Sequence, residues 1–92
     1  MLRFQWSKEV RNYLRDNEGL INNLELAFAD YRQQGTRLPA AGVVDEIAPL
    51  QYIWGIHEHI VLFRLMLEES VWKVQVEVIK PTRSIYDKLF FG

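Results

Sequence analysis

QYIWGIHEHIVLFRLMLEESVWKVQVEVIK, residues 51–80, is the stretch whose reading decides the fold of this chain. β-Branched and aromatic residues dominate it, and two polar breaks, at His57 to His59 and Glu68 to Ser70, divide it into three strands. Links this short leave no room for a crossover, so the spacing predicts an antiparallel meander. Pro81 ends it, because proline has no N–H to give to a ladder. In the last strand Trp72, Val74, Val76 and Val78 alternate with Lys73, Gln75 and Glu77, which predicts one buried face and one open face. The middle strand, from Ile60 to Leu67, is apolar on both sides except at Arg64, the pattern of a central strand.

Upstream of the meander, Leu2, Phe4 and Trp6 alternate with Arg3 and Gln5 and suit a short half-buried strand. Ser7 reads as a helix cap, and Lys8 to Arg15 places Val10, Tyr13 and Leu14 on one face. After the break DNEG, where Asp16 or Asn17 is available as a second cap, a helix is expected from Leu20 to Gln34 with Gly35 at its end. Its stripe is Leu20, Ile21, Leu24, Ala27, Phe28 and Tyr31. Thr36 to Leu50 contains Pro39, Gly42 and Pro49 and shows no sustained period, so it reads as an ordered connector with a short helical turn at Val44 to Ala48. Past the meander, Thr82 or Ser84 is placed to cap a brief helical tail carrying Ile85, Tyr86, Leu89 and Phe90.

At 92 residues the chain is expected to form one domain, 1–92, and 49% apolar residues supply the material for its core. The fold class is α+β: two N-terminal helices packed on a four-stranded antiparallel sheet, with a short C-terminal helical tail. The sequence has no cysteine, which excludes disulfides, thiolate nucleophiles and Cys-based zinc sites and makes a reducing, cytoplasmic setting the expectation. No apolar run nears the roughly 18 residues of a membrane span, and MLRFQWSKEV lacks a signal-peptide core, so no membrane partner is expected. Eleven basic against twelve acidic residues give a formal charge of −1, which excludes a global field for nucleic acid and leaves only local polyanion sites.

The order strand, two helices, connector, meander and tail resembles the RelE/ParE toxin superfamily, small bacterial proteins encoded with an antitoxin. The likeness spans the chain and is carried by LRFQWSKEVRNYL at the start, APLQYIWGI at the entry to the meander, HIVLFRL in the central strand and KPTRSIYDKL at the end. It implies an antitoxin protein as partner, whose amphipathic helix or strand covers the active surface, and leaves a homo-oligomer open. Members that cleave mRNA on the ribosome hold it with basic residues on the open sheet face, often with a tyrosine or histidine assisting; others inhibit DNA gyrase without cutting anything. This chain departs from the cleaving members at Ile60, where their central-strand arginine falls, and in its balanced charge.

In-line attack by a 2′-hydroxyl needs a group to take its proton, a group to protonate the leaving oxygen, and positive charge at the phosphate. Lys80 and Arg83 flank Pro81, and Tyr86 lies one helical turn beyond Arg83; they match the family's terminal basic residues and tyrosine. His57 is the candidate proton carrier, with His59, Arg64 and Lys73 as candidate substrate-binding residues. Each has a plainer reading. Lys80 and Arg83 are also ordinary solvated charges, and Tyr86 a core ring with a wet hydroxyl. Arg64 is equally placed to pair with Glu77 or Glu68. His57 and His59, about 6–7 Å apart in an extended chain, also read as a polar link between strands. The pair supplies no third metal ligand, so no metal and no cofactor are expected. Trp54 is a stacking platform for a base only if exposed.

Overall fold

The computed structural model describes residues 2–83, Leu20 by its backbone alone. Along the chain run β1 (Arg3–Trp6), α1 (Lys8–Asp16), a 3₁₀ turn (Glu18–Leu20), α2 (Asn22–Gln34), β2 (Val43–Ala48), β3 (Gln51–Ile56), β4 (His59–Glu68) and β5 (Val71–Pro81). The Tyr86 site and the C-terminal helical tail lie outside the described residues.

Ser7 caps α1 as its sequence position predicts: its Oγ accepts from the Val10 N–H at 3.1 Å. The same hydroxyl donates to the Glu77 carbonyl at 3.0 Å, and the Ser7 N–H donates to the Val76 carbonyl at 3.1 Å, so the helix start is stitched to β5. Asn17 does not cap α2, and neither does Asp16. Asn17 turns back instead, giving both its N–H and its side-chain amide to the Tyr13 carbonyl, at 3.1 and 2.8 Å. The 3₁₀ turn intervenes, and α2 starts after Ile21 without a side-chain cap. It ends at Gly35, whose φ of 68° is the left-handed conformation that suits glycine there.

The sheet has five strands in the order β1-β5-β4-β3-β2 and is mixed, which corrects the expected four antiparallel strands. β1 runs parallel to β5, with Arg3 opposite Lys73 and Trp6 opposite Val76. Parallel pairing needs a long crossover, and here everything between Ser7 and Ser70 provides it. The second difference is β2: Val43–Ala48 is a strand, with no helical turn, because pairing Val43 with Gly55 through Glu46 with Tyr52 places its backbone polar groups against β3. The other pairs are antiparallel, as expected of the meander. His57 and Glu58 (φ 47° and 61°), then Glu69 and Ser70 (φ 49° and 65°), take the left-handed conformations of two-residue hairpin turns that match strand twist.

β5 carries a bulge that its alternating sequence conceals. Leu62 faces Val78 but Phe63 faces Val76, so Glu77 is the extra residue. Parity therefore reverses: Val74 and Val76 point into the core, Ile79 replaces Val78 there, and Val78 joins the opposite face. Both helices cover the face bearing Val61, Phe63 and Leu65. Val10 of α1 and Ile21, Leu24, Phe28 and Tyr31 before and along α2 close the core against it. Trp54 is 1% exposed, packed edge-on against Phe28 and Tyr31 at 5.7 Å each, so it is a core ring with no face for a base. Its Nε1–H donates to the Ala41 carbonyl at 2.8 Å, and the Tyr31 hydroxyl donates to the Arg37 carbonyl at 2.6 Å. These two buried donors pin the 35–42 segment onto the core.

Candidate functional site

The bulge and the strand parity together determine what the uncovered face presents. Ile53, Leu62 and Val78 stand side by side on β3, β4 and β5, with Ile60 and Met66 further along β4. No described element packs over this row. Beside it, Val43, Asp45, Ile53, Gly55 and Ile60 line a shallow hollow of about 190 Å³, open where Gly55 has no side chain.

Two of the predicted anion binders lie on this face, and both are engaged. The Arg64 Nε–H donates to Glu77 at 2.8 Å, each side chain being about two-fifths exposed, on the face where strand alternation places Glu77 with Gln75. Lys73 is ion-paired with Glu68. A phosphate would have to displace these carboxylates before it could use either cation. Lys80 is exposed at the end of the same face, in register with Ile60, without an acidic partner among the described residues. Arg83 is separated from it: Arg83 lines a cleft at the end of the sheet together with Tyr13, Asn17, Glu58 and His59. Lys80 and Arg83 thus fall on different surfaces on either side of Pro81. Among the described residues no three His, Asp or Glu side chains are grouped to hold a metal ion.

The two histidines also divide. His57 is exposed in the β3–β4 turn and offers its backbone carbonyl, which His59 Nδ1 meets at 2.8 Å. His59 points toward the helices, where its Nε2 lies 2.9 Å from the Tyr13 hydroxyl, the two rings edge-to-face at 5.9 Å. Partial burial raises Tyr13 above the ordinary phenol range and keeps the hydroxyl neutral. Sequence reading left Tyr13 in the apolar stripe of α1 and so missed it as a site residue. The signal available was its place in the last turn, where an amphipathic ring sets its hydroxyl at the edge of the core.

No family model, no curated protein and no solved structure matches this chain. No helix among the described residues is long and apolar enough to cross a membrane.

Proposed function

We propose that this chain is the toxin-type member of a two-protein pair and that it acts by gripping a protein with the uncovered sheet face. The observation that carries this reading is the aliphatic row Ile53, Leu62 and Val78, flanked by arginine and lysine side chains already paired with Glu77 and Glu68. Phosphate recognition draws on unspent positive charge, whereas a protein interface has an apolar centre and a polar rim. Resemblance to the RelE/ParE superfamily supplies the partner: an antitoxin whose amphipathic segment covers this face and holds the protein inactive, a general mode of apolar groove recognition.

A metal-free endoribonuclease is the second reading, favoured by the exposed Lys80 at the end of the same face. Expression with and without the adjoining reading frame, followed by primer extension on cellular mRNA, separates the two. Growth arrest with intact transcripts, abolished by Leu62→Glu in a variant that retains its folded circular dichroism spectrum, is the expected result. Cut transcripts would replace it with the nuclease, and no arrest would remove the toxin reading altogether.

A further inference from the structure

The cleft at the other side of Pro81 has a chemistry of its own, independent of the uncovered face. It is an open cleft of about 570 Å³. A carbonyl oxygen only accepts, so the contact of His59 Nδ1 with the His57 carbonyl places a hydrogen on Nδ1. In the neutral ring Nε2 is then bare and accepts the Tyr13 O–H. The tyrosine proton is held away from the cleft, to which the phenol offers lone pairs. Among the described residues the charged groups lining the space are Arg83 and Glu58, one of each sign, and with His59 neutral they sum to zero.

Adding a proton at Nε2 changes the cleft in two ways. The imidazolium brings the sum to one positive charge. Nε2 can now only donate, so its bond to Tyr13 reverses, and the phenolic O–H is released to point elsewhere. A surface that offered lone pairs and no net charge becomes one that offers a directed donor and two cations.

We propose that this cleft binds the phosphate group of a small monoester and fills when His59 is protonated. Arg83 supplies the standing charge with a planar fork suited to an oxyanion, protonated His59 the conditional one, and Tyr13 the donor that aligns the group. The remaining volume accommodates the organic part of the ester. Among the described residues, the groups lining the cleft with His59 are Tyr13 and Asn17 on the α1 side, Glu58 from the turn and Arg83 past β5; of these Glu58 alone opposes an anion.

Sulfate is the suitable probe, because its charge does not change over the pH range in which imidazole titrates. The full chain is titrated with sulfate at about pH 5.5 and about pH 7.5, following the ring C–H resonances of His59, with His57→Gln to separate the two histidines. The expected result is binding at least about tenfold tighter at the lower pH, a tenfold change being about 1.4 kcal/mol. Arg83→Gln, an exposed position outside the core, should remove most of it; Tyr13→Phe should weaken it at the lower pH alone; Glu58→Gln should strengthen it at both. His59 resonances unmoved by sulfate, an affinity equal at both pH values, or binding indifferent to Arg83→Gln would each overturn the proposal.

Discussion

Val61, Phe63 and Leu65 on one side of β4 are sealed at 0–2% exposure, while Ile60, Leu62, Arg64 and Met66, interleaved with them, remain half-buried on the other. Both sets are rich in apolar atoms, yet they answer to different demands. The covered side is interlocked with aromatic rings and buried donors, so its shapes are fixed by neighbours on three elements. The uncovered side carries aliphatic side chains that no described element contacts from above and cations held by carboxylates. Apolar area on the first side stabilises the fold; on the second it remains available for association.

That contrast can be broken most sharply at Trp54. Trp54→Ala removes a fully buried ring and the donor to Ala41, and should cost about 3–5 kcal/mol in chemical denaturation, a large share of the stability of a domain this size. Gly42→Ala comes next, at about 1–3 kcal/mol: at φ 77° a Cβ would collide with the Gly55 carbonyl oxygen and come within 2.9 Å of Trp54 Nε1. Ser7→Ala should cost about 1 kcal/mol through loss of the α1 cap. At the small end, Arg64→Gln on the open face should shift stability by about 0.2–1 kcal/mol, and less in high salt, because the pair with Glu77 is partly exposed. If Arg64→Gln proved as costly as Trp54→Ala, the two faces would not differ as described.

Alkaline pH tests the covered side from another direction. Burial raises Tyr31 well above 10.0 and also raises Tyr52 and Tyr13, all three chiefly by desolvation. Above about pH 10 the unfolded chain loses phenolic protons that the folded chain keeps, so stability should fall as pH rises through that range. Denaturation midpoints recorded from pH 8 to pH 11 should show the decline for the wild type, and Tyr31→Phe should flatten it.

The meander was legible because β3, β4 and β5 have close turns and strong alternation, and α1 because Ser7 stands at the start of its stripe. β2 was not. In VVDEIA the acids Asp45 and Glu46 sit next to one another, and proline and glycine on both sides mimic a loop; only the partner strand reveals it. The parallel pairing of β1 is equally silent, since no local pattern distinguishes an edge strand beside β5 from one elsewhere. The bulge at Glu77 was hidden by perfect alternation in the letters. It mattered most for the site, because it turned Val78 out of the core and onto the open face beside Leu62. Of the candidate residues, His59 was named for its chemistry, but its partner Tyr13 lies 46 positions away and becomes its neighbour only through the packing of α1 over the sheet end.

The first strand is completed by the last. Trp6 and Ser7 are held by backbone groups some 70 positions ahead, at Val76 and Glu77, whose carbonyls accept from the Ser7 N–H and hydroxyl. While a ribosome is still adding β4, β1 has no partner and the aromatic flank of α2 is unsealed, so topology delays the closed sheet until β5 has been made. A half-made sheet would leave its aromatic side open to water and to other chains for that whole interval.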